Sequence, residues 1–198
     1  MVIKKAEFVR SIKSGDEYFN ENIPEIAVAG KSNVGKSSLI NMLTDNGKLA
    51  RVSKQPGKTR LINYFLLNGE FYLVDLPGYG FARVSKTEKD SWETMMQEYF
   101  AASKNLRCLM ILVDIRHKPG EDDAAMVRFA EQYSIPYMLC ATKADKIAKS
   151  KRKNEAVRLK AQIPKSYDCD VFPVSSEDGW GKDAILAELE SFLKGAED

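Results

Sequence analysis

Eight consecutive residues, Gly30-Lys-Ser-Asn-Val-Gly-Lys-Ser37, fit the pattern G-x-x-x-x-G-K-[ST]. That pattern is a phosphate-binding loop when it joins a strand to a helix. The flanks supply this context: Ile26-Ala-Val-Ala29 is apolar and strand-like, and Ser38-Leu-Ile-Asn-Met-Leu43 reads as the first turns of a helix. Gly30 and Gly35 allow a tight wrap in which the N–H groups of Lys31, Ser32, Asn33 and Val34 point inward at phosphate oxygens. A helix starting near Lys36 adds the positive end of its dipole. Lys36 would reach the β- and γ-phosphates and the Ser37 hydroxyl would ligate Mg²⁺, with the binding run extending to Ser38.

Three later segments suit the same chemistry. Asp75-Leu76-Pro77-Gly78 follows a strand-like run. A carboxylate there can hold Mg²⁺ through water, and the Gly78 N–H can approach a γ-phosphate because no Cβ intervenes. Thr142-Lys143-Ala144-Asp145 follows another such run. Asp145 could accept from N1–H and the exocyclic amine of guanine, with the Lys143 stem over the purine face. Adenine offers no such donor pair and would leave the carboxylate unpaired. Val174-Ser175-Ser176 follows the last strand, where a backbone N–H can meet guanine O6. Each signal is weak alone; their order on successive strand ends makes the set specific. In the polar stretch before the second strand, Gly57-Lys58-Thr59 supplies a hydroxyl, Thr59, suited to bind Mg²⁺ only while a γ-phosphate is present.

These groups need a scaffold that brings strand ends together. Strand-like runs fall at 25–29, 61–67, 70–74, 107–114, 136–141 and 170–174, and helical patterns at 36–44, 86–102, 122–133, 149–163 and 182–193. Asn68-Gly69 is a two-residue hairpin signal, so the second and third strands should be antiparallel. The other crossovers pass through helices and imply parallel pairing. The expected architecture is α/β, a six-stranded mostly parallel sheet with one antiparallel strand and helices on both faces. Residues 1–23 lack a clear pattern and are expected to form an extension on the core, as an edge strand or short helix, ahead of a nucleotide domain spanning 24–198. Trp92, Met95, Met96, Tyr99 and Phe100 form a core-facing helical stripe.

A chain of 198 residues suits one large domain with ordinary apolar and charged fractions. No apolar stretch approaches the ~18 residues of a membrane span, so a cytosolic location is expected. Cys108, Cys140 and Cys169 are scattered and expected to be reduced thiols. His117 is the only histidine and is expected to be a loop residue rather than a base. The net charge of +2 is uneven. Residues 48–60 hold five basic residues and no acid, and 143–165 hold nine basic residues against Asp145 and Glu155. Such segments suit a polyanion or a solvated face equally well.

The motifs G-K-S-N-V-G-K-S, P-G-K-T-R, D-L-P-G-Y-G, T-K-A-D-K and V-S-S together resemble the EngB (YihA/YsxC) family of bacterial GTPases, within the TrmE-Era group, from about Phe8 to the last helix. The resemblance implies a Ras-like P-loop GTPase, Mg²⁺-dependent GTP binding and slow hydrolysis. It also implies a switch in large-ribosomal-subunit assembly, needed for normal division and septation, in a protein expected to be monomeric. Partners would then be GTP or GDP and the large subunit or its precursor, through rRNA at segments 48–60 and 143–165, with no membrane. Catalysis is expected to rest on positioning and electrostatics, with Lys36, Asn33, Gly78 and Thr59 as the groups involved. Tyr79 stands where Ras-like enzymes carry a water-orienting glutamine, so intrinsic turnover should be poor. Asn33 resembles an asparagine that helps ligate K⁺ in related potassium-stimulated GTPases. Arg60 and Arg83 suit partner contact better than catalysis. A nucleotide-sensing scaffold for division proteins with negligible hydrolysis is the alternative. A small-metabolite kinase would have no use for Thr142–Asp145.

Overall fold

Apolar runs four to six residues long, separated by amphipathic stretches, form strands that are buried on both faces and covered by helices. The computed structural model describes residues 1–13, 22–50, 61–80, 86–163 and 169–195. Thr59, Gly57, Lys58, Arg60, Arg83 and most of the basic stretch 48–60 lie outside the described residues.

The elements, in order, are β1 (Ala6–Ile12), β2 (Glu25–Gly30), α1 (Lys36–Leu43), β3 (Ile62–Leu67), β4 (Phe71–Asp75), α2 (Lys86–Ala102), β5 (Leu106–Asp114), α3 (Glu121–Gln132), β6 (Tyr137–Thr142), α4 (Arg152–Gln162), β7 (Val171–Pro173) and α5 (Lys182–Lys194). One sheet runs in the order β1-β3-β4-β2-β5-β6-β7. β3 pairs antiparallel with both β1 and β4, whereas β4-β2, β2-β5, β5-β6 and β6-β7 are all parallel. β3 is therefore the single reversed strand. The carboxyl ends of β2, β4, β6 and β7 consequently open on one rim, where ligands of such sheets bind.

The sheet has seven strands rather than six. The extra one, β1, is an edge strand whose central residues are exposed and include Glu7 and Arg10, so it lacks the apolar run that marks the inner strands. Asn68 at the hairpin tip holds it in place. Its Oδ1 accepts from the Lys4 and Lys5 amides at 2.8 and 3.2 Å, and its Nδ2 donates to the Val2 carbonyl at 2.9 Å. Positive φ at Asn68 (54°) and Gly69 (72°) gives the turn that the Asn-Gly pair predicts.

Two apolar layers sandwich the sheet. One, built on Val28, Met110 and Cys140, is covered by α1 and α5 through Leu39, Ile40, Ile185 and Leu189. The other, built on Ala27, Ile111 and Leu139, is covered by α2, α3 and α4 through Met96, Tyr99, Val127 and Leu159. The α2 stripe thus packs inward as its spacing implies, each fully buried side chain contributing about 2 kcal/mol. All three cysteines are buried thiols outside any disulfide, and burial pushes those of Cys108 and Cys140 up.

Candidate functional site

The loop after β2 folds back through two left-handed residues, Asn33 at φ 63° and Gly35 at φ 111°. A bond from the Val34 amide to the Lys31 carbonyl (3.0 Å) closes the turn. Gly30 leaves no room for a side chain: an added Cβ would meet Val34 Cγ1 at 2.7 Å and Leu112 Cβ at 3.0 Å. Gly35 caps α1, so Lys36, Ser37 and Ser38 occupy its first turn with their amides unused by the helix.

The segment after β4 lies against this loop. Backbone bonds run from Ser32 to the Tyr79 carbonyl (3.0 Å) and from Tyr79 to the Gly30 carbonyl (3.3 Å). Asp75 is buried and ion-paired with Lys36, and its other oxygen accepts from Asn63 Nδ2 at 3.4 Å. Leu76 and Pro77 are buried behind it, and the Pro77 carbonyl accepts from Trp92 Nε1 at 3.1 Å, which ties the segment to α2. At Gly78 a Cβ would stand 3.2 Å from Ser32 Oγ.

The segment after β6 is strapped to the same loop. Thr142 Oγ1 donates to the Val34 carbonyl at 2.7 Å. Lys143, at φ 60°, donates from Nζ to the Asn33 carbonyl at 2.7 Å and pairs with Asp114 Oδ2 at 3.0 Å. Burial alone would raise the Asp114 carboxyl, but hydrogen bonds from Arg116 and Lys143 outweigh it and hold it well below the carboxylate range. The Ala144 amide bonds to the Val174 carbonyl at 3.0 Å, joining the β6 and β7 ends. Ser175 Oγ donates to Asp145 Oδ1 at 3.1 Å. Hydrogen bonds from Lys146 and Ser175 keep the Asp145 carboxyl lowered, so it is an anion with acceptor capacity at neutral pH. Ser176 is exposed beside it.

The rim therefore gathers the segments at Gly30–Ser38, Asp75–Gly78, Thr142–Asp145 and Val174–Ser176. A cavity of about 380 Å³ opens against the loop, lined by Ser32, Asn33, Asp114, His117 and Lys143. His117 sits exposed on its edge, in a turn closed onto the Asp114 carbonyl at 3.1 Å. A second cavity, about 500 Å³ beside Glu131, Tyr137 and Glu188, lies at the opposite ends of the strands and holds none of these groups.

Comparison with known proteins reads the same residues as a family. A family model described as "50S ribosome-binding GTPase" matches residues 25–143. The chain is 44% identical over 193 residues to the probable GTP-binding protein EngB of Geobacillus sp. (strain WCH70), covering 98% of this chain and 100% of that one. It is 48% identical over 168 residues to the probable GTP-binding protein EngB of Lactobacillus helveticus (strain DPC 4571), covering 85% and 86%.

The chain belongs to the EngB family of GTP-binding proteins.

It is accordingly a GTPase. The crystal structure of a probable GTP-binding protein engB shares its fold with a TM-score of 0.69 at 24% identity, over 86% of this chain and 99% of that one. Era, in complex with MgGDPNP and nucleotides 1506–1542 of 16S ribosomal RNA, does so with a TM-score of 0.63 at 20% identity, over 89% and 58%.

In this EngB-family chain several neighbours of the rim carry no motif. Asp123, buried in the first turn of α3, accepts from Lys31 Nζ and the Gly120 amide at 2.7 and 2.8 Å, and from the Tyr79 hydroxyl at 3.3 Å. It thereby ties the phosphate loop, the segment after β4 and α3 to one carboxylate. The Tyr79 ring packs edge-on against Trp92 at 5.8 Å, and burial followed by Asp123 pushes its phenol well above the usual value. Tyr79 is thus a neutral side chain turned into the core. An acid three residues after a helix-capping glycine was the available sign for Asp123. Asp114, Arg152 and Asp178 gave none, since their partners are distant in sequence or set by loop shape.

Proposed function

We propose that this rim holds a guanine nucleotide with Mg²⁺ and that the protein is a GTP-driven switch in assembly of the large ribosomal subunit, with normal cell division depending on that ribosome supply. The observation that carries the nucleotide reading is the convergence of Gly30–Ser38, Asp75–Gly78 and Thr142–Asp145 on one rim. The Ser32 and Val34 amides are taken by the Tyr79 and Lys31 carbonyls, so the amides of Gly35 to Ser38 at the start of α1, with that of Asn33, would cradle the phosphates, and Lys36 would leave Asp75 for the β- and γ-oxygens. The oxygens of Ser37 and Asp75 (through water) and of Thr59 are hard ligands that fit Mg²⁺, which when bound would offset the charge of the triphosphate. Asp145 would read N1–H and the amine of guanine, Lys143 would lie over its face, and the Ser175 and Ser176 backbone would meet O6.

Hydrolysis would rest on charge placed by Lys36, Thr59 and the Gly78 amide. Tyr79 is committed to Asp123 and cannot orient water, which supports a slow intrinsic rate. Asn33, exposed at the loop crest, is a candidate K⁺ ligand. Equal hydrolysis rates in Na⁺ and K⁺ buffers of matched ionic strength would remove that role.

The matched family's description supports a ribosomal partner, and Era is known bound to 16S ribosomal RNA. On this chain Lys146, paired with Asp145, and Lys149, Lys151 and Lys153, which follow it into α4, are exposed, and so is Lys48 after α1. Such a patch would meet rRNA phosphates, and losing one contacting lysine should lower the salt slope of binding by about one. Sedimentation with ribosomal particles in GTP, in GDP and without nucleotide tests the switch. Association with the large subunit or its precursor in GTP alone is expected, and nucleotide-independent or absent association would refute it. No helix among the described residues is long and apolar enough to cross a membrane.

A further inference from the structure

Arg152 opens α4, seven residues beyond Asp145, and is among the most buried charged side chains described, at 2% exposure. Its Nη2 donates to Asp178 Oδ2 at 2.8 Å, and its guanidinium lies 5.1 Å from the centre of the Trp180 ring. Nε and Nη1 have no hydrogen-bond partner among the described residues. A guanidinium held this way is costly, and an apolar side chain of similar volume would pack with less penalty.

Its grip falls on the loop that carries Ser175. Asp178 Oδ1 accepts from the Trp180 amide at 3.2 Å, and the Ser175 amide closes the loop onto the Trp180 carbonyl at 3.0 Å. The amides of Glu177 and Asp178 both donate to Ser175 Oγ at 3.2 Å. With those two donors on its lone pairs, the Ser175 hydroxyl hydrogen is left to point at Asp145 Oδ1. A chain of contacts thus runs from Arg152 through Asp178 and Ser175 to Asp145. Both ends belong to the β6–α4 connection, and the middle belongs to the β7–α5 loop.

We propose that Arg152 is a positioning residue for base recognition. Clamped to Asp178 and laid over Trp180, it fixes the loop 175–180 and, through Ser175, aims the carboxylate of Asp145. The inference rests on the reading that Asp145 recognises guanine. A fixed carboxylate favours a two-donor edge over a one-donor edge, because a mobile one can satisfy itself with water.

The test is the ratio of GDP to IDP affinity, since inosine lacks the exocyclic amine that Asp145 would accept. Arg152→Met keeps the volume and removes the clamp, and should weaken GDP by about tenfold with less effect on IDP, so the ratio contracts. Arg152→Lys should recover part of it, since an ammonium can reach Asp178 without the planar fork. Should Arg152→Met fail to fold, Asp178→Asn and Trp180→Ala, both at exposed residues, break the same chain and should contract the same ratio. Asp145→Asn is the control. If it abolishes discrimination while the clamp variants lose thermal stability but keep the wild-type ratio, Arg152 is structural only and the inference is overturned. If Asp145→Asn itself leaves GDP and IDP affinities unchanged, the base-pocket reading fails instead.

Discussion

Lys36 Nζ rests on Asp75 Oδ1, so the cation of the phosphate loop and the carboxylate at the end of β4 neutralise each other across the candidate site. A triphosphate and a divalent cation would separate them, each group exchanging its partner for one of the same sign. The pair stores both charges where they are needed, at a position only 11–14% exposed.

Lys36→Ala should therefore act twice. GTP affinity should fall by about a hundredfold, roughly 3 kcal/mol, because a charge-assisted contact is lost. Without nucleotide, the variant should also melt earlier, since among the described residues Asp75 then keeps only the Asn63 side chain as a donor. Calorimetry and a thermal melt check the two effects separately. A variant that binds GTP normally would remove Lys36 from the site.

Ser175→Ala deletes a hydroxyl that accepts two amides and donates to Asp145. Ser175 is fully buried, while Glu177 and Asp178, whose amides it accepts, are exposed, so those amides can turn partly to solvent and the partly buried Asp145 contact carries most of the loss. A stability loss of about 1–3 kcal/mol is expected, together with weaker GDP binding. Denaturant unfolding and nucleotide titration give both figures.

At the other end of β2, burial raises the Glu25 carboxyl despite hydrogen bonds from Ser103 and Tyr99 at 2.8 and 2.9 Å. The folded state holds this proton more tightly than the unfolded chain does. Its contribution to stability is thus greatest at low pH, falls as pH rises from the ordinary value of 4.5 through the raised one, and is flat above it. Glu25→Gln keeps an acceptor for both hydroxyls and should flatten that decline. The difference in melting temperature between the two proteins should move in the variant's favour as pH rises across this window. Parallel curves would show that Glu25 does not titrate there.

Gly181 caps α5 at φ 85°, and a Cβ would lie 2.3 Å from the Pro173 carbonyl. Gly181→Ala should cost about 3 kcal/mol and loosen the junction of β7 and α5. A melt within a degree of wild type would contradict the close approach.

Much of the scaffold was legible because its strands are buried on both faces: Leu109–Val113 is apolar throughout and could hardly be anything else. The Asn68-Gly69 turn and the α2 stripe follow local rules that the fold obeys. For β1 an edge strand and a short helix stayed equally open within residues 1–23, because an exposed edge strand needs no periodicity and Asn68 helps fix its place from outside. α4 starts at Arg152 rather than 149, because 149–151 forms a short 3₁₀ turn whose lysine-rich sequence looks helical. The rim motifs were legible because parallel strands bring successive strand ends together. The capping place of Asp123 was open to view but its grip on Lys31 and Tyr79 was not, these being 92 and 44 residues away, and Arg152 gave no sign because Asp178 lies 26 residues away.

Titration calorimetry of the protein with GTP and with ATP, in Mg²⁺, tests the central claim most directly. GTP should bind in a one-to-one complex and ATP should show no measurable heat, because adenine offers Asp145 no pair of donors. Equal affinity for both nucleotides, or binding of neither, would contradict the account.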